Sequence, residues 1–251
     1  MTRLKRNHPL PLYVQLYETL RADIQARRLA PHEQIPSERA LCERFHVSRM
    51  TVRQALIDLA RAGFIYSRVG KGTFVSEPKI DQQLRTLTGF SQEMKNRGDV
   101  PSSRVLEAKL QPASDDIAQI LRIPIGSEIV LLTRVRLAAW NPLAIETVHL
   151  PHHLCPNVLR HNFAVKSLYD VLEREYGYRL TRADQTIEAA LAGPREIALL
   201  QLTPPAPVLM MERLTYTDQN VLIEYAQSTY RGDRYKFRSA LAPRSDSPGG
   251  A

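Results

Sequence analysis

From Leu12 to Ile24, apolar side chains at Tyr13, Leu16, Tyr17, Leu20 and Ile24 recur at helical spacing and predict an amphipathic helix. Arg27, Arg28, Pro31 and the turn-like stretch around His32 end it. Pro36-Ser37 then opens a second helix, with Ser37 as N-cap and Ala40, Leu41 and Phe45 on its apolar side. After a short break at His46-Val47, Ser48 caps a third helix. That helix places Val52, Ala55, Leu56 and Leu59 at i, i+3, i+4 and i+7, and Gly63 stops it. Two strand-like runs follow, 64–66 and 73–75, around Val69-Gly70-Lys71-Gly72. Helix, helix, tight turn, helix and hairpin, over residues 9–76, is the layout of a winged helix-turn-helix.

Residues 77–86, EPKIDQQLRT, are polar without a clear apolar period and are read as a linker. Beyond them, 128–137 and 143–150 read as strands joined by a turn at Trp140-Asn141-Pro142. A second hairpin joins 207–217 to 221–230 through Asp218-Gln219-Asn220. Helical stretches fit 115–121, 167–176 and 194–200. Strands interspersed with helices and joined by hairpin turns argue for an α+β fold with a mainly antiparallel sheet over 87–240. The end, 241–251, is rich in Pro, Ser and Gly and is expected to be a disordered tail.

Composition narrows the class. With 251 residues and 43% hydrophobic content, the chain supports one large domain or two modest ones and an ordinary core. Two cysteines, Cys42 and Cys155, exclude a disulfide-dense scaffold and a four-cysteine zinc site. The basic start has no apolar run after it, so it is not read as a signal peptide. No stretch approaches the roughly 20 apolar residues that span a bilayer, and a soluble cytoplasmic protein is expected. Lys+Arg number 34 against 26 Asp+Glu, and +7 of the net +8 falls within residues 1–76. A cationic first third on a nearly neutral remainder suggests that this third meets a polyanion.

Arg49 and Arg53 are four residues apart on the third helix, on one face and about 6 Å apart along the axis. That face lies opposite the apolar one, with Thr51 in the first turn beside it. In a helix-turn-helix this helix start enters the major groove, where arginine pairs with guanine O6 and N7 or clamps a phosphate. Ser48 and the free N–H groups of the helix start suit a phosphate oxygen. Arg39 is placed to reach the backbone or a base edge. The wing tip Gly70-Lys71-Gly72 has small glycines for a narrow minor groove and a lysine for phosphate. A merely solvated helix would carry any one of these arginines; the set on one face favours DNA.

Strand alternation makes Val130, Leu132, Arg134 and Arg136 co-facial. Ala144, Glu146 and Val148 share a face on the next strand, as do Leu222, Glu224, Ala226, Ser228 and Tyr230 on the last. Paired arginines beside carboxylates and a tyrosine suit a small polar ligand with an acidic group. Arginines and glutamates that only pair with one another would give the same pattern.

The segments PLYVQLYETLRADI, IPSERALCERFHVSRMTVRQALIDLARAGFIY and GKGTFV resemble the DNA-binding region of the GntR family of bacterial transcription regulators. Downstream, LTGFSQEMKNRG, LLTRVRLA, PLAIETVHLP, SLYDVLEREYG and EYAQSTYRGDRYKF resemble the HutC-type subfamily, whose UTRA effector domain has a chorismate-lyase-like fold. The resemblance implies that Arg39, Ser48, Arg49, Thr51, Arg53 and Gly70 take DNA-contact positions. Met50 sits where such motifs vary and is given no base contact. It also implies an effector site of Phe90, Ser91, Arg134, Arg136, Glu146, Ser167, Glu224 and Tyr230. There the arginines would hold a phosphate or carboxylate, Glu146 and Glu224 would accept from hydroxyl or amino groups, and Ser167 and Tyr230 would complete the anion shell. Retention of both arginines makes a sugar phosphate or amino-sugar phosphate the leading ligand class. Urocanate, a phosphonate or another carboxylate is the alternative.

The expectation is therefore a homodimeric DNA-binding repressor that a small anion releases from a palindromic operator, with rearrangement in the linker. The rival classes are a chorismate-lyase-like enzyme fused to a DNA-binding head and an architectural DNA-binding protein without a ligand. No P-loop, GxGxxG or GxSxG motif occurs, and no cofactor is implied. His149, His152, His153 and Cys155 form the one metal-like cluster, but Pro151 interrupts it, and a loop of satisfied or exposed histidines is preferred to a metal site. Cys42 is read as a small buried residue.

Overall fold

A computed structural model describes residues 4–68 and 70–241. The chain divides between Lys79 and Ile80 into two compact units. In the first, α1 (Leu12–Gln25), α2 (Glu38–Phe45) and α3 (Arg49–Arg61) precede the antiparallel hairpin of β1 (Ile65–Arg68) and β2 (Gly72–Val75). The Ser37 hydroxyl accepts from the Ala40 N–H and the Ser48 hydroxyl from the Thr51 N–H, so both anticipated caps satisfy helix-start donors. Between α2 and α3 the chain turns through His46, whose φ of 53° is left-handed. Leu16, Leu20, Leu41, Val52, Ala55 and Leu59 then meet in one core that is almost free of solvent. Residues 32–35 run beside the wing: His32 donates to the Val75 carbonyl, and Ile35 to that of Thr73.

The second unit is built on one six-stranded antiparallel sheet. Its strands are β4 (Pro101–Pro112), β5 (Glu128–Ala138), β6 (Asn141–Pro151), β7 (Leu180–Leu191), β8 (Pro207–Thr217) and β9 (Leu222–Arg231). Their spatial order is β4-β5-β6-β9-β8-β7. β5 is covered on both faces, which is why EIVLLTRVRLA reads as an almost unbroken apolar run. On one face Val130, Leu132, Val148 and Leu150 pack against α6 (Leu168–Glu175) through Leu168, Val171 and Leu172. On the other, α5 (Asp115–Leu121) covers Ile129 and Tyr225. There too, α7 (Pro194–Leu200) places Leu200 against Val135 and Ile145. A further helix, α4 (Phe90–Asn96), packs Phe90 and Met94 against Ala144, Met211 and Tyr230.

Several expectations need correction. The stretch 77–86 is not a uniform linker: β3 (Ile80–Gln83) pairs in parallel with β10 (Tyr235–Arg238), and Ile80 and Gln82 are buried by it. Its pairing partner lies far along the chain, so no local pattern announces it. The first hairpin turns at Ala139-Trp140, with φ of 46° and 68°, and Asn141 already belongs to β6. Two residues with positive φ match the right-handed twist of the flanking strands, although neither is glycine or asparagine. Ser167 is the N-cap of α6 rather than its first turn. Cys42 is half-buried. Val69 of the wing turn and positions 242–251 of the expected tail lie outside the described residues.

Leu59→Ala removes a side chain with no exposed surface from the head. It is expected to lower the unfolding free energy of the first unit by about 2–5 kcal/mol. Denaturant unfolding reads the change, and an unaltered midpoint would contradict the packing.

Candidate DNA interface and effector cavity

Arg39 and Arg49 are almost wholly exposed, and each is held in place by a carboxylate: Arg39 Nε donates to Glu43 at 3.0 Å and Arg49 Nε to Glu38 at 3.0 Å. Exposed ion pairs of this kind are worth little, so they orient the guanidinium groups and yield readily to a phosphate or a base edge. Arg53 is exposed on the same side of α3, while Val52, Ala55 and Leu59 on the other side are fully buried. Ser48 caps α3 and lies 2.9 Å from the Thr51 hydroxyl, so both hydroxyls stand at the helix start. At the wing, Gly70 has a φ of 72° with open space around it, and Lys71 is exposed. Gly72 has a φ of 108°, and a Cβ there would come within 2.4 Å of Gln34 Nε2. Gln34 donates instead to the Lys71 carbonyl at 3.1 Å and fixes the wing from its flank.

The second unit holds a cavity of about 500 Å³, counting the part open to solvent. All eight residues named as an effector set, Phe90, Ser91, Arg134, Arg136, Glu146, Ser167, Glu224 and Tyr230, line it. Strand register explains the convergence. Arg134 stands opposite Glu146, Glu146 opposite Ser228, and Ser228 opposite Met211, a row running across four strands. The next row runs Arg136, Ala144, Tyr230. Over this floor lie the starts of α4 and α6, which supply Phe90 and Ser91 and, from the cap position, Ser167.

The cavity is polarised. Arg134 Nη2 donates to Glu146, and Arg136 Nη1 lies 3.5 Å from the same carboxylate oxygen. Arg136 Nη2 donates to the Ser91 hydroxyl at 2.9 Å, and its guanidinium sits 4.6 Å from the centre of the Phe90 ring. Arg134 Nε and Nη1 and Arg136 Nε are buried and find no partner among the described residues. Burial works against the Glu146 charge, but Arg134 and Arg136 outweigh it and hold the carboxyl below its ordinary pKa. Burial, with Arg134 nearby, brings the Arg136 guanidinium down to about 10. Both effects describe a cation pair short of negative charge.

Sequence reasoning missed part of the lining. Arg213, Tyr169, Met211, Thr88 and Gly89 also face the cavity, as does Ser228, which strand alternation had already placed on this face. Tyr169 donates to Glu224 at 2.8 Å, and Thr215 donates to the same oxygen at 2.6 Å. Burial nevertheless pushes the Glu224 carboxyl above its ordinary value. It also pushes the Tyr230 hydroxyl up to about 12, so that group stays a donor. Burial opposes the Arg213 charge, yet Tyr169, Tyr230 and Glu224 around it hold the guanidinium above its ordinary value. A Cβ on Gly89 would lie 3.2 Å from the Tyr169 ring, so a glycine there admits the tyrosine. The signal for Arg213 was in the second hairpin: the register that faces Ala226 into the cavity places Arg213 beside it.

The histidine segment does not converge. His149 is buried and stacked on Tyr225, with ring centres 5.7 Å apart, whereas His152 pairs with Glu128 at 3.2 Å. Cys155 is buried, and its thiol is pushed up to about 12 by that burial. Among the described residues no group of three or more His, Cys, Asp or Glu side chains is placed to hold a metal ion. Among them, too, no helix is long and apolar enough to cross a membrane.

Comparison with known proteins agrees with this division. Residues 12–75 match the model for bacterial regulatory proteins of the gntR family, and residues 96–236 match the UTRA domain. The HTH-type transcriptional repressor NagR of Bacillus subtilis (strain 168) is 41% identical over 234 residues, 93% of this chain and 96% of NagR. The mannosyl-D-glycerate transport/metabolism system repressor MngR of Escherichia coli (strain K12) is 30% identical over 237 residues, 94% of this chain and 98% of MngR. The crystal structure of PhnF from Mycobacterium smegmatis has a TM-score of 0.65 at 29% identity, over 93% of this chain and 100% of that one.

Because the folded pKa of Glu224 is raised, its contribution to stability is present below the unfolded value and is lost as pH rises through the folded one. Glu224→Gln removes that loss while keeping an acceptor for Tyr169 and Thr215. Relative to wild type, the variant is expected to melt higher at about pH 8 than at about pH 4. A gain confined to the acid side would contradict the assignment.

Proposed function

The chain belongs to the gntR family of bacterial regulatory proteins, with a UTRA effector domain, and from that premise we propose a homodimeric repressor that an anionic metabolite releases from a palindromic operator. It is a DNA-binding transcriptional regulator, as its relatives are. What remains to be assigned is how it grips its operator and what it senses.

On DNA, Arg49 and Arg53 read or clamp the major groove from the start of α3, with Thr51 beside them. Ser48 and the N–H groups of that helix start bind a phosphate, Arg39 adds a backbone contact, and Gly70 and Lys71 bring the wing to the minor groove. The exposure of Arg39 and Arg49 and their weak carboxylate partners support these roles. Two heads in a dimer then engage half-sites about one helical turn, ~34 Å, or somewhat more apart. Such a protein works in the cytoplasm.

In the effector cavity, the observation that carries the reading is that Arg134 Nε and Nη1 and Arg136 Nε find no partner among the described residues while both arginines share one carboxylate. A buried donor without a partner is costly, and a phosphate or carboxylate from a ligand satisfies several at once. Ser91, Ser167 and Tyr230 complete that anion shell. Glu146 and Glu224 accept from sugar hydroxyl or amino groups, and the Phe90 ring packs against the Arg136 guanidinium. A sugar phosphate or amino-sugar phosphate fits this mixture of cations and acceptors. Urocanate, a phosphonate or another carboxylate would engage the same arginines.

Release requires that the ligand favour an arrangement other than the DNA-bound one, since equal affinity for both shifts nothing. Thr88–Ser91 line the cavity, and the chain runs back from them through β3 to Lys79, where the first unit ends. The segment 77–86 is the place where ligand-dependent ordering alters the heads. Neither a lyase reaction nor a ligand-free architectural role calls for this coupling.

Arg49→Ala or Arg53→Ala is expected to weaken binding to a selected operator duplex by about 1–3 kcal/mol where a base contact is lost. Fluorescence anisotropy reads it, and unchanged affinity would remove the assignment. Arg134→Ala is expected to bind operator like wild type yet ignore glucosamine 6-phosphate and related anions. A variant that still responds, or a wild type that turns the ligand over, would favour another function. A half-site duplex that binds as tightly as the full palindrome would exclude the paired heads.

A further inference from the structure

A second cavity lies between residues 82–87 and β7, about 700 Å³ counting the part open to solvent. It meets the effector cavity at one side chain, since Arg213 lines both. Arg213 Nε donates to Gln185 on β7 at 2.9 Å, and Nη1 reaches the Thr88 carbonyl at 3.4 Å. The guanidinium thus stands as a shared wall, tied on one side to the second cavity's strand and on the other to the segment that opens the first.

The chemistry of the two cavities differs. The first contains two carboxylates, Glu146 and Glu224, but no acidic residue lines the second. Arg182 borders it but turns away, with its guanidinium 4.0 Å from the centre of the Tyr216 ring and 3.4 Å from Asp184. That leaves Arg85, exposed, and Arg213, half-buried, as its cations. Gln82 is 5% exposed, and its Oε1 is buried without a donor among the described residues. A buried acceptor without a donor is as costly as a buried donor without an acceptor. A ligand that suits this lining brings a hydroxyl for Gln82 and negative charge for Arg85 and Arg213. An ammonium group finds no carboxylate among the lining residues to pair with.

We propose that this cavity is a second binding site, for a small hydroxylated oxyanion such as a polyol phosphate, and that Arg213 couples it to the effector cavity. Occupancy of either side competes for the same guanidinium and so changes the hold on the Thr88 carbonyl. The proposal stands apart from the effector reading, because its residues other than Arg213 take no part in the first cavity.

The test is isothermal titration of the full chain with glycerol 1-phosphate and, separately, inorganic phosphate. Glycerol 1-phosphate is expected to fill two sites per chain in wild type. Arg134→Ala should abolish one of them. Ala183→Phe, which fills the second cavity from an edge strand, should abolish the other, and Arg85→Ala should weaken it by about tenfold or more. Inorganic phosphate, lacking a carbon-bound hydroxyl arm for Gln82, should bind the second site more weakly than glycerol 1-phosphate. A single wild-type site that Arg134→Ala removes would overturn the proposal and leave the effector reading intact. So would two sites untouched by Ala183→Phe and Arg85→Ala. A single wild-type site that is lost in Ala183→Phe but kept in Arg134→Ala would instead sustain this proposal and count against the effector reading.

Discussion

Arg134, Arg136 and Glu146 meet on the sheet face below α4 and α6, both arginines with almost no access to solvent, and the second unit is arranged around that meeting. Two cations share one carboxylate. The attraction to Glu146 offsets part of the cost of burying them, but Arg134 Nε and Nη1 and Arg136 Nε find no acceptor among the described residues. The protein tolerates this because the strands bring the charges into register, with Arg134 directly opposite Glu146. Leu132, Val148 and Ala226 form the neighbouring row, and Phe90 and Phe163 place their rings beside the guanidinium groups. Donors already held in place by the strands meet an anion without reorganising. Stability is therefore sacrificed locally where function is gained.

The first unit solves the opposite problem. Its cations are exposed, and its core is purely apolar. Exposed arginines on a helix fixed by Ser48 and a buried face scan the long array of phosphates on a duplex, and salt screens them readily. A small, fixed anion in a buried pocket and a polymeric anion on an open face thus call for different electrostatics within one chain. Nearly all of the net positive charge lies in the first unit, whereas the second balances its arginines with glutamates.

How much of this was legible in the sequence follows from how local each feature is. The three head helices were readable because Ser37, Ser48 and Gly63 punctuate an apolar period that the core then buries. The two central hairpins were readable for the same reason, and alternation alone put Arg134 and Arg136 on one face. The edge strands β4 and β7 were not: β4 is largely exposed without alternation, and the half-buried positions that alternate through the middle of β7 are Ala183, Gln185 and Ile187, which show no apolar period. β3 was read as linker because its partner, β10, is about 150 residues away and nothing nearby shows the pairing. Arg213 and Met211 escaped because membership of a cavity is a property of register between strands, not of spacing along one, and Tyr169 because it reaches the cavity from α6. Glu224 was named, but its hydrogen-bonded partners could be found only once β8 and β9 were laid side by side.

The central claim is that a buried cation pair awaits an external anion. The most direct measurement is a crystal structure of the full chain with an amino-sugar phosphate. The account predicts phosphate oxygens within hydrogen-bond distance of Arg134 and Arg136, with Ser91 and Tyr230 around them and the sugar turned toward Glu146 and Glu224. A phosphate bound elsewhere, with both guanidinium groups still served only by Glu146 and Ser91, would contradict it.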